Sequence, residues 1–313
     1  MQIIINLAIS YSKQSKDLIL QNVKPRVTQW LFYTQIIMKF IQLLLAFSFI
    51  FTKAQFSTVS GNFTLNSDPY SVVVLDKSFQ NIYYKLNFVS NPREADKKTE
   101  AICVLQLGQD HSKFSDLNKL RRDSLMEKLS HKDKINADDM NKMLRLRNHW
   151  ENVLIKNIPE QKNIHQEDMA EDFQYEEKQP VFEWKIENDT KDILGYNCRK
   201  ATTQYRGRKY TAWYATDIPI NNGPYVFQGL PGLIMEIEDQ KQHYHFIAIA
   251  MDKKASEIYL RNEDKIFHVD RKRFRKVQKS YHDNPGFFYG GAYDKDGTSV
   301  KLKAKPYNPI ELE

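Results

Sequence analysis

Two histidines have the spacing that best fits metal chemistry. His243 and His245 stand at i and i+2 in a segment that alternates like a β-strand, and such side chains lie on one face about 7 Å apart. Two imidazoles on one face, with Glu238 or Asp239 nearby, could hold a metal ion. The spacing defines no third ligand, so two ordinary histidines on a hairpin are the preferred interpretation. We predict no cofactor.

Local catalytic signatures are missing from the rest of the sequence. It contains no Gly-x-Ser-x-Gly, no His-Glu-x-x-His, no phosphate-binding glycine-rich loop and no Cys-x-x-Cys. We therefore predict no catalytic residue and favour a non-enzymatic binding or accessory protein. A metal-dependent hydrolase using His243 and His245 is one alternative, and a purely structural protein is the other.

A loop over 218–229 is the best candidate for a binding surface. It holds two prolines, two glycines and two aromatic residues between two predicted strands, and loops on a rigid scaffold commonly carry binding sites. If Tyr225 and Phe227 are exposed, they offer an apolar surface for stacking. With Trp213 and Leu230 they are our predicted binding residues. The alternative is that both rings close one end of the core of the sheet.

The loop ends in the hexapeptide Gly229-Leu-Pro-Gly-Leu-Ile234. Pro231 and Gly232 suit the two central positions of a type II turn, which needs a fixed φ followed by a positive φ. We expect Gly229, Pro231 and Gly232 to shape a turn that delivers the next strand, Leu233 to Glu238, to the core. Gly232→Val should then be severely destabilising.

The hexapeptide resembles the motif that names the GLPGLI family. Further similarities follow in the family's order: Gly195-Tyr-x-Cys-Arg-Lys-Ala201, Gly207-Arg-x-Tyr-x-Ala-Trp-Tyr214, Asp217-Ile-Pro-Ile220, Gly223-Pro-Tyr-x-Phe-x-Gly229 and Asn308-Pro-Ile-Glu-Leu312. The resemblance is dense over about 190–250. It implies an exported, single-domain protein of the cell envelope of Bacteroidetes, with no established activity. It therefore transfers no catalytic residue.

The N-terminal region is typical of a secretory signal. A charged start at Met38 precedes an apolar run to Phe51 and a cleavage site ending at Ala54, and the run is short for a membrane-spanning helix. We predict an upstream extension over 1–37, a signal peptide over 38–54 and one domain over 55–313. The domain would lie in the periplasm, on the outer membrane or outside the cell, without being integral to a membrane.

Charge does not favour nucleic acid as a partner. The whole chain has a net charge of +7, but 1–54 carries six basic residues and one acidic residue, which leaves 40 basic and 38 acidic side chains. A net charge of +2 lacks the basic excess that phosphate binding needs. We predict an unknown envelope ligand or protein as the partner.

The two cysteines can form one disulfide in an exported protein. Cys103 and Cys198 lie on predicted strands of the same sheet, and the envelope permits oxidation. We predict that they are bridged. Two buried thiols are the alternative, since free cysteine is often fully buried.

Strand-like and helix-like periodicities alternate along the domain. Runs rich in Val, Ile, Tyr and Phe before 110 and after 153 predict strands, and apolar residues at helical spacing predict helices within 113–150. The predicted fold is α+β and dominated by strands: a curved antiparallel sheet with a helical insertion. The order of elements is similar to that of the half-open β structure of envelope lipoprotein carriers.

Overall fold

The computed structural model describes residues 58–288, 296, 298, 300 and 302–313. The predicted extension over 1–37 and the predicted signal peptide over 38–54 lie outside these residues. Within the described part of the chain, none of the helices combines the length and the apolar character that crossing a bilayer requires.

Strands make up most of the structure. In chain order they are β1 (Thr64–Asn66), β2 (Val72–Lys77), β3 (Gln80–Val89), β4 (Lys98–Leu107), β5 (His111–Asp116), β6 (Lys134–Asn136), β7 (Asn152–Asn157), β8 (Lys162–Asp168), β9 (Asp172–Lys178), β10 (Lys185–Ile193), β11 (Tyr196–Tyr205), β12 (Arg208–Ala215), β13 (Leu233–Asp239), β14 (Tyr244–Asp252), β15 (Glu257–Arg261) and β16 (Phe267–His268). The helices are α1 (Leu117–Ser130), α2 (Ala137–Arg145), α3 (Arg271–Asp283) and α4 (Pro285–Phe288), and a 3₁₀ turn spans Pro92–Glu94.

Twelve strands form one curved sheet that does not close into a barrel. Their order is β10-β11-β12-β13-β14-β3-β4-β5-β7-β8-β9-β16. All neighbours are antiparallel except β16 and β9. The predicted strand-dominated fold is therefore confirmed. The central pairing of β14 with β3 brings together two halves of the chain that are far apart in sequence.

The predicted helical insertion is present, although it begins a few residues late. Asp116 ends β5 and accepts a hydrogen bond from the backbone nitrogen of Asn118 at 2.7 Å, so it caps the start of α1. Asn136 and Asp139 form a reciprocal capping box at the start of α2. These caps explain why the helices start where they do.

The main core lies on one face of the sheet. Alternate side chains of the central strands point into it, and Tyr84, Leu86, Tyr214 and Phe246 are almost completely buried. A smaller cluster of Phe173, Tyr175 and Phe274 forms where α3 packs on β9. Helix α3 is thereby positioned over one end of the sheet.

Candidate functional site

The turn in the hexapeptide differs from the predicted type II turn. The backbone nitrogen of Gly232 donates to the carbonyl oxygen of Leu230 at 2.8 Å, so the turn spans three residues and is centred on Pro231. Gly229 has the positive φ, at 95°, and Gly232 does not. The predicted φ at Gly232 is wrong. Glycine is required there for another reason, because a Cβ would lie 2.2 Å from the carbonyl oxygen of Ala215.

A buried lysine holds the loop that precedes this turn. Lys156 of β7 donates to Asn222 Oδ1 at 2.8 Å and to the carbonyl oxygens of Gly223 and Phe227 at 3.2 and 3.0 Å. Burial lowers the pKa of Lys156 well below its usual range. The sequence contained no motif that pointed to this contact, which joins residues 66 to 71 positions apart.

The four predicted binding residues do not form an exposed surface. Tyr225, Phe227 and Leu230 are 3%, 0% and 2% exposed, because the lysine contact turns the loop inward and their rings and side chains join the main core. Trp213 is half-buried, and its ring faces Lys191 Nζ at 5.6 Å. The sequence left two interpretations open, and the burial of both rings agrees with the one in which Tyr225 and Phe227 close one end of the core.

Tyr225 connects the loop to the C-terminus. Its backbone is left-handed, with φ at 50°, and its hydroxyl donates to Glu311 Oε1 at 2.8 Å. Glu311 Oε2 accepts from Arg206 at 2.6 Å and from Arg271 at 2.7 Å. Desolvation by burial raises the pKa of Glu311, but the nearby cations, of which Arg206 has the largest effect, lower it below its usual value. A non-glycine residue pays a conformational penalty in this region, which these contacts offset.

The last residues form a strap, 306–311, across the end of the sheet. Arg208 of β12 binds it through Asn308 Oδ1 at 2.8 Å and the carbonyl oxygens of Pro309 and Ile310 at 2.8 and 3.0 Å. Arg208 also pairs with the buried Asp239 at 2.8 Å. The segment Asn308-Pro-Ile-Glu-Leu312 therefore has a structural role and is held in place by charge-assisted hydrogen bonds.

A cavity of about 190 Å³ lies between the sheet, the loop, α3 and the strap. Its aromatic lining comes from segments far apart in sequence: Phe88, Trp150, Tyr175, Tyr225, Tyr244, Phe274 and Tyr307. Its polar lining includes Glu151, Asn152, Glu167, Arg275, Gln278 and Glu311. A concave site that combines aromatic walls with convergent polar groups is a common form of a small-molecule site.

Two polar atoms in the cavity wall have no hydrogen-bond partner among the residues that the structure describes. They are Trp150 Nε1, a donor, and Asn152 Oδ1, an acceptor. Trp150 and Asn152 are 8% and 7% exposed. An unpaired buried polar atom costs about 1–3 kcal/mol, and other such atoms, for example Tyr214 Oη, belong to residues outside the cavity lining.

Two carboxyl groups of the cavity have raised pKa values. Desolvation raises the pKa of Glu167 to about 7, and the nearby charge of Glu151 adds to this shift. Desolvation also raises the pKa of Glu151, with Asp168 contributing. Raised carboxyl pKa values inside a cleft are common at functional sites. The sequence offered no signal for Glu167, which lies near the end of β8 and belongs to no motif.

The histidine pair has separate partners. His245 Nε2 lies 2.8 Å from Glu236 Oε1, whereas His243 Nδ1 lies 3.3 Å from Asn308 Nδ2 in the strap. Over the described ranges, no group of three or more His, Cys, Asp or Glu side chains has the arrangement of a metal site. The pair therefore gains no third ligand from the fold.

The two cysteines are free thiols, and the predicted disulfide is not formed. Cys103 lies on β4 and Cys198 on β11, and four strands lie between them in the sheet. A disulfide needs Cα atoms within about 7 Å of each other. Adjacent strands are about 4.8 Å apart, so four intervening strands keep the two cysteines beyond this distance. Both thiols are buried, as in the alternative drawn from the sequence.

Comparison with known proteins gives a family match over a short segment. Residues 205–236 match the model of a family described as a protein of unknown function, Porph_ging. The matched segment covers β12, the loop and the hexapeptide, and so includes Tyr225 of the cavity wall. No curated protein is significantly similar to the chain.

Among solved structures, the chain is similar to PNGF-II in two space groups. The TM-scores are 0.42 and 0.41, each at 15% sequence identity over 65% of this chain. The chain spans about a third of the length of those proteins, since the alignments cover 33% and 32% of them.

Proposed function

We propose that this chain is a non-enzymatic binding protein of the cell envelope, which holds a small molecule in the cavity under the strap. One observation carries the proposal: Trp150 and Asn152 both line the cavity, and each has a buried polar atom, Nε1 and Oδ1, without a partner among the described residues. A purely structural role would favour a filled interior in which these atoms were paired.

The size of the cavity suits a single small ring. An engineered apolar protein cavity of about 150 Å³ binds benzene, and this one measures about 190 Å³. Its aromatic walls supply apolar contact area, while the indole N–H and the amide oxygen offer one donor and one acceptor. A compact molecule with an apolar ring and one or two polar groups fits this combination.

Export belongs to the same proposal and rests on the sequence. The charged start at Met38, the apolar run and the boundary at Ala54 support a cleaved signal, and the resemblance to the GLPGLI family supports an envelope location. Protein isolated from its native envelope should begin at Gln55. An intact N-terminus at Met1 in a cytosolic fraction would contradict export.

Binding can be tested with three probes of similar shape: benzylamine, benzyl alcohol and benzoate. Each is titrated into the full chain while the thermal midpoint and the tryptophan fluorescence are recorded. We expect at least one probe to raise the midpoint and to change the fluorescence of Trp150. No effect from any of the three would overturn the proposed function.

Two tryptophan variants locate the response. Trp150→Phe removes the unpaired N–H and should weaken the probe's effect at least several-fold, since a hydrogen bond contributes about 0.5–1.5 kcal/mol. Trp213→Phe is the matched control, because Trp213 lies outside the cavity lining and faces Lys191. A larger loss in Trp213→Phe would move the site to the surface predicted from the sequence.

A further inference from the structure

Most strongly buried carboxylates of this protein have a cationic partner. Glu311 pairs with Arg206 and Arg271, and Asp239 pairs with Arg208, at 2.6 to 2.8 Å. Glu236, which is 5% exposed, contacts Lys191 and His245. This pattern follows from the cost of burying an unpaired charge.

Two carboxyl groups that line the cavity are less buried and lack such a partner: Glu167 is half-buried and Glu151 is exposed. Neither Glu151 nor Glu167 forms an ion pair with any residue in the described part of the chain. Glu167 accepts from Gln278 Nε2 at 2.7 Å and from Asn152 Nδ2 at 3.4 Å. Glu151 accepts from Asn148 Nδ2 at 2.6 Å. Their hydrogen-bond partners are neutral amides, and nearby cations, Arg275 for Glu167 and Arg122 for Glu151, act on them without forming an ion pair.

The basic groups near the cavity are engaged elsewhere. Arg275 donates to Gln278 Oε1 and to the carbonyl oxygen of Glu311, and its guanidinium lies 5.9 Å from the ring of Tyr307. His282 contacts the carbonyl oxygen of Pro306 through Nδ1 at 2.6 Å, and burial lowers the pKa of this histidine, which favours its neutral form. Arg275 still acts on the charge of Glu167 from a distance, but Glu151 and Glu167 outnumber it among the charged lining residues that form no ion pair.

Aromatic rings surround the same space. Phe88 and Tyr244 are stacked at 6.1 Å with an interplanar angle of 9°, and Trp150 stands nearly perpendicular to both at 6.4 Å. Rings around a desolvated site attract cations through their quadrupoles, with tryptophan the strongest. The aromatic walls and the carboxyl groups without ion pairs therefore both favour a positively charged guest.

We propose that the guest is a small organic cation with at least one N–H, such as a primary ammonium on an apolar ring. This inference rests on the proposed binding function. The ammonium group would lie between Glu167 and Glu151 and donate to Asn152 Oδ1, which has no partner among the described residues. The apolar part would lie against Trp150 and Tyr244.

The three benzyl probes distinguish this inference from the proposed function. Measurements are made at about pH 8, where a carboxyl with a pKa near 7 is mostly ionised. We expect benzylamine, as its ammonium ion, to bind at least tenfold more tightly than benzyl alcohol, and benzoate to bind least. Glu167→Gln should reduce the preference for the cation over the alcohol several-fold.

Other outcomes overturn the inference in separate ways. If the alcohol or benzoate binds at least as well as the ammonium, the cavity binds small molecules but not cations preferentially. If Ca²⁺ or Mg²⁺ stabilises the protein and displaces the ammonium, the carboxyl pair is a metal site. A preference that persists in Glu167→Gln but is lost in Glu100→Gln would place the cation outside the cavity, since Glu100 is exposed and pairs with Lys85.

Discussion

Tyr225 and Glu311 are joined by a hydrogen bond of 2.8 Å across 86 residues of sequence. The bond connects the loop before the hexapeptide to the C-terminal strap, and both segments line the cavity. Burial and the charge of Glu311 raise the pKa of Tyr225 well above its usual value, so the hydroxyl remains a donor. The two segments therefore act as one wall of the candidate site.

Tyr225→Phe should destabilise the protein by about 2 kcal/mol, because hydrogen bonds to charged groups contribute about 1.5–3 kcal/mol. Urea unfolding at neutral pH gives the free energy of unfolding. The control is Tyr196→Phe, a half-buried tyrosine at the start of β11, for which we expect a change within about 0.5 kcal/mol. Equal effects in the two variants would refute a special role for the Tyr225 hydroxyl.

Gly232→Ala should cost at least about 2 kcal/mol, since the added methyl would collide with backbone rather than with a movable side chain. Gly232→Val should cost more. Gly286→Ala is the matched control, because a Cβ there would meet its nearest atom at an ordinary 3.7 Å. If thermal unfolding gives the same midpoint for Gly232→Ala and the unmodified chain, the close approach to Ala215 is wrong.

Stability should rise with pH from about 7 to about 8.5. Lys113 is fully buried against the ring of Tyr259, with Nζ 3.3 Å from the ring centroid, and desolvation lowers its pKa to about 7. In the unfolded chain the pKa of lysine is about 10.4, so the unfolded state holds more protons in this window. Deprotonation of the folded state then relieves the penalty of burying the charge.

The slope should be at most about 1.4 kcal/mol per pH unit for one such group. Lys156, whose pKa is lowered in the same direction, adds to it. Lys113→Met should therefore reduce the pH dependence of the free energy of unfolding, and exposed Lys97→Met should leave it unchanged. A stability that falls over this window in the unmodified chain would contradict the assignment.

Thiol titration should find two free thiols in the unfolded, unreduced protein and slow reaction in the folded one. Desolvation raises the pKa of Cys103 well above its usual value and that of Cys198 to about 11, which keeps both in the unreactive thiol form. If no thiol can be titrated after the unreduced protein is unfolded, the two cysteines are joined by a disulfide and the assignment of free thiols is wrong.

Much of the sheet could be predicted because strand periodicity is local. Ile82 to Val89 and Glu100 to Leu107 lie within β3 and β4, and the turn at Arg206-Gly207 joins β11 and β12 as expected. Each of these features depends on residues a few positions apart. The pairing of β14 with β3 could not be predicted in this way, since alternation defines a strand without naming its neighbour.

The candidate site was only partly visible in the sequence. Tyr225 was singled out, but its burial depends on Lys156 and Glu311, which lie 69 and 86 residues away along the chain. Glu167 and Asn152 belong to adjacent strands in register, and neither is part of a recognisable motif. A carboxyl gains a raised pKa only when the fold removes its water and keeps cations away.

The sequence by itself determined the strand-dominated class and the helical insertion, since side-chain alternation acts over a few residues, whereas the need for glycine at Gly232 comes from its packing on Ala215 in the folded chain. Tertiary structure alone decided that the aromatic loop points inward, that the cysteines stay apart and that unpaired carboxyl groups meet aromatic rings in one cavity. Those outcomes depend on which segments, distant in sequence, pack together and bury apolar area. The hydrophobic effect depends on the area that is buried and not on the separation of the segments along the chain.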